Sequence, residues 1–387
     1  MKRLKTGLLG KILIAIALGI GTGMICPEWI VRISVTFNSI FSQFLGFIIP
    51  LIIVGLVTPA IADIGNKAGK MLIITLAIAY CSAVFAGLTS YITGATVFPS
   101  LISGGDTLQT LAETTDTLPY FTVNIPPLMG VMTALVLAFI TGLGLAATQH
   151  KTLLDAVHGF EEIITKAIRS AIIPILPFYI FGIFLNMTYV GQVFSILTVF
   201  IKIIGIIFLI HIGILILQFV IAGGFAGRNP FKLLWNMLPA YFTALGTQSS
   251  AATIPVTLEQ TKKNGVSEDI AGFTVPLCAT IHMSGSTLKI VACALALMIM
   301  QGMPYDFWGF FGFICMLGIT MVAAPGVPGG AIMASLGLLQ SMLGFNTEAQ
   351  ALMIALYIAM DSFGTACNVT GDGAIAVIVD RLLGKVK

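Results

Sequence analysis

Apolar residues along this chain come in long unbroken runs with helical periodicity, not in the short alternating segments of barrel strands. Runs long enough to cross a bilayer, around 20 residues, cover 8–26, 37–62, 71–98, 121–148, 155–187 and 193–225. After Pro230 the pattern changes. Residues 233–261 are apolar at both ends but interrupted by Gly246, Thr247, Gln248, Ser249 and Ser250, and each half is too short to cross alone. A seventh crossing, 270–300, is interrupted from Thr280 to Ser286, and residues 307–345 repeat the interrupted pattern around Ala323 to Gly330. The eighth crossing carries Asp361 and Asp372, with Gly364, Asn368, Gly371 and Gly373 among the residues that weaken its helix, so unwinding is expected between the two carboxylates.

Composition fixes the class. The 387 residues are 57% hydrophobic and only 9% charged, and the mean hydropathy is +1.03, far above soluble usage. This is an all-α polytopic membrane chain. A net charge of +3 without a basic cluster leaves no footprint for nucleic acid. The six cysteines lack a Cys-x-x-Cys spacing and read as small packing residues, not as a disulfide frame or metal site. Residues 1–26 imitate a signal peptide, but no small-residue cleavage pattern follows, so they read as an uncleaved first helix.

Charge orients the crossings. Between Lys70 and Lys151 the charged residues are Asp106, Glu113 and Asp116, which puts that loop outside. Lys2, Arg3, Lys5, Lys67, Lys70, Lys151, Lys166 and Arg169 then lie inside, and Arg381, Lys385 and Lys387 place the C-terminus there too. Both termini are expected in the cytoplasm of a cell whose inner (plasma) membrane holds the protein. Arg228 and Lys232 before 233–261, and Lys262 and Lys263 after it, require a re-entrant hairpin from the inner side; Asp306 and Glu348 flank the second hairpin, expected from outside. Hairpin plus broken helix occurs twice with opposite orientation, the inverted pattern that places a substrate site at the membrane midplane in secondary transporters.

An ionised carboxylate inside a bilayer costs at least about 2.5–3.5 kcal/mol unless a cation or donor meets it. Asp361 and Asp372 therefore read as a site for a cation and an amine. Lys289, one turn beyond the break in the seventh crossing, needs a partner such as Asp361 or Asp372, or a neutral state. His282 reads either as a proton-linked group or as a donor to a freed carbonyl. Ser249 and Ser250 have no base in their hairpin to activate them, which argues against an intramembrane hydrolase. A dedicated ion channel would need a continuous polar path.

Thr247–Thr257, Ile281–Ser286, Gly326–Gly329 and Asn368–Asp372 together resemble the dicarboxylate/amino acid:cation symporter family, the glutamate transporter homologues. Their order and spacing hold from Leu233 onward. The resemblance implies eight transmembrane helices plus two re-entrant hairpins, assembled as a homotrimer. A scaffold (1–70 and 121–190) would hold a transport part (71–120 and 191–387) that moves like an elevator. It implies that Asp361 holds a substrate amine, that Thr365 and Asn368 assist, that Ser249 and Ser250 bind the α-carboxylate, and that Gly326 and Val327 form the gate. It also implies one sodium site from Asn368 and Asp372 with carbonyls of the seventh helix, and another from carbonyls of the seventh-helix motif and of the outer hairpin around Ala323, with Thr280, His282 and Met283 the ion-binding candidates of that helix. No further cofactor is implied, and no catalytic residue.

Three departures bear on function. The family position that reads an acidic side chain, usually Arg, is Gly364, so the fork for a second carboxylate is missing. The family's Asn-Met-Asp-Gly-Thr is His282-Met283-Ser284-Gly285-Ser286, which removes a cation-binding carboxylate. Lys289 is then either a built-in counter-ion or, in a rival reading, a replacement for the Arg that would make the substrate acidic. The expectation is a symporter for a small neutral amino acid coupled to sodium, protons or both; the alternative is a dicarboxylate or acidic amino acid carrier.

Overall fold

The computed structural model describes residues 8–66, 70–102, 117–191, 193–324 and 329–383, and among them no strand occurs. The helices are α1 (Leu8–Gly23), α2 (Glu28–Asn66), α3 (Lys70–Ile102), α4 (Val131–Thr148), α5 (Lys151–Ala167), α6 (Ile173–Tyr189), α7 (Val193–Ala226), α8 (Pro230–Thr247), α9 (Ser250–Lys263), α10 (Glu268–Ile281), α11 (Ser284–Met300), α12 (Phe307–Ala323), α13 (Gly330–Leu343), α14 (Thr347–Ala359) and α15 (Asp361–Leu383). A π-helical turn, Ile168–Ile172, joins α5 to α6. Among the described residues, six stretches are long and apolar enough to cross a membrane: Glu28–Asp63, Lys70–Ile102, Lys151–Tyr189, Leu197–Ala226, Glu268–Met300 and Asp361–Leu383.

Two groups of helices emerge from the packing. In one, α1 lies against α6, and α2 packs on α4, α5 and α6; in the other, α3 and α7 to α15 pack around α11 and α15. The groups meet where α13 touches α2 and α4, and where α14 touches α1 and α6. Polar contacts pin that junction: Ser42 on α2 donates to the Thr347 hydroxyl at 3.1 Å, and the Tyr179 hydroxyl reaches the Thr347 carbonyl at 3.4 Å. The second group contains the driest part of the molecule. Within Glu268–Met300 the most apolar window is 94% buried, and within Asp361–Leu383 it is 89% buried, against 33% for Lys70–Ile102. α11 and α15 are thus surrounded by protein, which is where intramembrane polar groups can be tolerated.

Local sequence explains how the helix pairs form. Asn229 caps α8 by accepting from Phe231 and Lys232 N–H, and Pro230 sits at the first helical position, where its missing donor costs nothing. Gln248 then takes a left-handed conformation (φ 54°), and the Ser249 hydroxyl oxygen accepts from Ala252 N–H to start α9. α8 and α9 pack on each other as one helical hairpin, and α12 and α13 as a second. The latter's return helix begins after Gly329, at φ 76°, a conformation only glycine adopts without strain.

The eighth crossing departs from expectation. Its break falls at Met360, with α14 ending at Ala359, and Asp361 to Leu383 form one continuous helix. The glycines beside Asp372 serve close packing, not unwinding. A Cβ at Gly371 would lie 2.7 Å from His282 Cε1 and 2.8 Å from Gln218 Oε1, and one at Gly373 would meet the Met237 side chain at 2.6 Å. Burial among neighbours this close offsets the roughly 1 kcal/mol that each glycine costs a helix. The seventh crossing breaks as expected, at His282 and Met283.

Candidate functional site

Three helix N-termini meet at the start of α15. Asp361 opens that helix, where the positive end of the helix dipole favours a carboxylate. Its Oδ2 accepts from Gly329 N–H at 2.9 Å, which brings the start of α13 to the same point. From the other side, Gln248 Nε2, just ahead of α9, donates to the Ser362 hydroxyl at 3.4 Å. Unpaired amides at such helix starts suit an anionic group such as an α-carboxylate.

Asp361 has an internal cation beside it. Lys289 Nζ stands 3.6 Å from Asp361 Oδ1, donates to the Met360 carbonyl at 3.1 Å, and lies 4.0 Å from the centre of the Tyr357 ring. The break at Met360 keeps its carbonyl beside the ammonium while the same oxygen accepts from Gly364 N–H at 3.1 Å. Lys289 is 1% exposed, and its Nζ and Cε fill the space that any Cβ at residue 364 would need. Glycine at 364 and lysine at 289 are therefore one arrangement. An ion pair, a carbonyl and an aromatic face are the partners that an ammonium needs in a dry site.

One turn further along α15, Asn368 ties the helix to the break in the seventh crossing. Its Oδ1 accepts from Gly285 N–H at 2.8 Å, and its Nδ2 donates to the Ser286 hydroxyl at 3.3 Å. The Tyr357 hydroxyl also donates to Ser286, at 3.0 Å. Thr365 turns its hydroxyl to the Asp361 carbonyl at 3.0 Å, one turn back on its own helix.

The second aspartate meets a histidine. His282 Nδ1–H donates to Asp372 Oδ1 at 2.9 Å, with the two side chains 0% and 1% exposed. Across the ring, Nε2 lies 3.0 Å from the Ser82 hydroxyl on α3. Gln218 on α7 donates to that hydroxyl at 3.0 Å and to Ser284 at 3.1 Å. The imidazole thus stands between the carboxylate and a chain of uncharged polar groups. The Gln218 and Ser82 side chains also line a cleft of about 310 Å³ between α3, α7 and α15, bordered by Cys81, Phe85 and Ile378.

The residues singled out from sequence are distributed as follows. Asp361, Thr365, Asn368 and Gly364 come together with Lys289, and Ser249 and Ser250 start the adjoining helix. His282, Met283 and Asp372 share the second cluster. Thr280 is exposed and bonds the Leu277 carbonyl at 2.7 Å, while Ala323 ends α12. Gly326 and Val327 lie outside the described residues. Of Lys289's two candidate partners, Asp361 is the one it meets. Sequence reasoning missed Ser82 and Gln218 as neighbours of the site; a glutamine inside the long apolar run of α7 was the available signal. Tyr357, whose ring supports Lys289, was likewise not singled out. His158, partly exposed on α5, bridges Asp63 at 3.2 Å and Glu161 at 3.1 Å.

Buried charges at a convergence of helix starts, among paired and broken apolar helices, are the arrangement expected of a membrane transport protein. Comparison with known proteins agrees. The sodium:dicarboxylate symporter family model matches residues 8–382, and the chain belongs to that family. It is 27% identical to the serine/threonine transporter SstT of Acinetobacter baumannii, over 97% of each chain. It is also 30% identical over 162 residues, 41% of this chain, to the neutral amino acid transporter B(0) of Rattus norvegicus, covering 29% of that protein.

Proposed function

We propose that this chain is a secondary active symporter of the inner membrane that imports a small neutral amino acid together with sodium, protons or both. The observation that carries the reading is the Lys289–Asp361 pair at Gly364. With Lys289 charged and Asp361 ionised, the empty pocket sums to zero. A zwitterionic amino acid keeps that sum at zero, its ammonium sharing Asp361 and its α-carboxylate resting on the start of α9 near Ser249 and Ser250. A second carboxylate adds an uncompensated charge in a dry site, which costs several kcal/mol. The names of the relatives, a serine/threonine transporter and a neutral amino acid transporter, support the same class.

The two helix groups support an elevator division in which α1, α2, α4, α5 and α6 serve as scaffold of a homotrimer and the rest moves, α8–α9 and α12–α13 being the re-entrant hairpins. A Cβ built at Gly329, at the tip of the second hairpin, would lie 3.8 Å from Leu8 Cδ2. Positive charge puts that end of α1 on the cytoplasmic side, so we read the arrangement as inward. At the ion end, Asp372 with Asn368 retains the family's carboxylate. Here His282 takes the place of an asparagine, with Nδ1 on Asp372 and Nε2 beside the Ser82 hydroxyl.

Uptake of labelled serine into proteoliposomes, competed by alanine, threonine, aspartate and succinate under sodium or proton gradients, tests the reading. Competition confined to the neutral amino acids is the expected result; competition by aspartate or succinate at equal concentration contradicts it. One observation favours a second reading: Lys289 Nζ occupies the space beside residue 364, where the family's side-chain-reading arginine arises. That reading requires wild-type uptake of acidic substrates and its loss in Lys289→Met.

A further inference from the structure

We infer that Lys289 is a tethered stand-in for the substrate's ammonium, holding Asp361 whenever the pocket is empty so that the empty carrier can close and return. This deepens the transport reading above and rests on it. The outer hairpin touches the pocket through Gly329 N–H on Asp361 Oδ2. Closing that hairpin over a carboxylate with no cation beside it would bury a net charge, and Asp361 is already only 5% exposed. A loaded carrier avoids the problem, because the amino acid's ammonium meets Asp361 directly while its α-carboxylate rests on the amides that start α9. An empty one cannot, unless the protein supplies a cation that stays behind.

Lys289 has the geometry for that task. At 3.6 Å from Oδ1 the pair is longer than a tight charge-assisted hydrogen bond, so the carboxylate is neutralised without being saturated. The ammonium is also supported independently of Asp361, by the Met360 carbonyl at 3.1 Å and the Tyr357 ring at 4.0 Å. Those two contacts let it remain in place, still charged, when an incoming ammonium takes a share of the carboxylate. Its partners all lie on α11, α14 and α15 or at the break between the last two, so the cation travels with the pocket.

The consequence is kinetic. Exchange of outside for inside substrate moves only loaded carriers, whereas net uptake also needs the empty carrier to return. Lys289 therefore controls the second more than the first. The test compares both rates in proteoliposomes for wild type, Lys289→Met and Lys289→Arg. Homoexchange is measured with substrate inside and net uptake without it, using whichever amino acid or dicarboxylate the wild type carries. In Lys289→Met the ratio of exchange to net uptake is expected to rise by about tenfold or more, the effect of unbalancing the empty closed state by one decade in population. Lys289→Arg, which keeps the charge, should bring the ratio back toward wild type. Measurable exchange also reports that the variant is folded. A ratio unchanged in Lys289→Met, with both rates falling together or neither falling, overturns the inference. A wild type that carries only acidic substrates instead overturns the proposed substrate class while leaving this ratio to be read.

Discussion

The two aspartates of α15 answer the same physical problem in opposite ways. Asp361 sits at the helix start, 3.6 Å from a lysine, with one oxygen on the tip of a hairpin. Asp372 sits in mid-helix, 2.9 Å from a histidine held from behind by Ser82 and Gln218. The first pair is loose and adjoins the start of α13; the second is tight and enclosed by α3, α7 and α10. The difference suggests a division of labour. On the proposed function, the carboxylate that accepts a travelling ammonium is neutralised without being saturated, and the one assigned to the ion end is fixed by a full network.

Breaking the first pair should have the largest effect. Asp361→Asn removes the amine's partner and strands Lys289, a loss of about 3–5 kcal/mol for a broken buried pair. Substrate uptake in proteoliposomes is expected to fall by more than a hundredfold, with lower thermal stability in detergent. Breaking the second pair should cost less. His282→Ala removes one hydrogen bond to a charged group, about 1.5–3 kcal/mol, and should shift the sodium dependence of uptake while leaving the preference for neutral over acidic substrates unchanged. A changed preference would mean that the two sites are not separate.

A smaller effect is expected on the hairpin side of the first pair. Gly329→Ala forces a side chain into a left-handed conformation at about 1–2 kcal/mol, and should weaken substrate affinity in a binding titration. The last variant is a control away from both pairs. Asn229→Ala removes the cap of α8, worth about 1 kcal/mol, so the melting temperature should drop slightly with the substrate profile intact.

Much of this was legible in the chain. Interrupted apolar runs announced both helical hairpins, and the Asn368–Asp372 motif announced the family, because these signals are local. The break in the last crossing was misplaced for a physical reason: glycine lowers helix propensity, but at Gly371 and Gly373 neighbouring side chains occupy the space a Cβ would need. At Met360, where the helix does break, no glycine or proline marks the place. Lys289 was recognised as costly, yet its choice of Asp361 over Asp372 depends on how far α11 reaches past the break, which is a tertiary matter. Ser82 and Gln218 come from α3 and α7, distant in sequence, and only packing brings them to His282.

The central claim is that the pocket supplies its own charge balance and so accepts a zwitterion. The most direct test is the thermal stability of purified wild-type protein and Asp361→Asn with threonine, aspartate and succinate, since a ligand of the folded state raises apparent stability by about 2.7 kcal/mol at a hundred times its Kd. Stabilisation of wild type by threonine alone, absent in Asp361→Asn, is the predicted result. Stabilisation by aspartate or succinate without any by a neutral amino acid would contradict it.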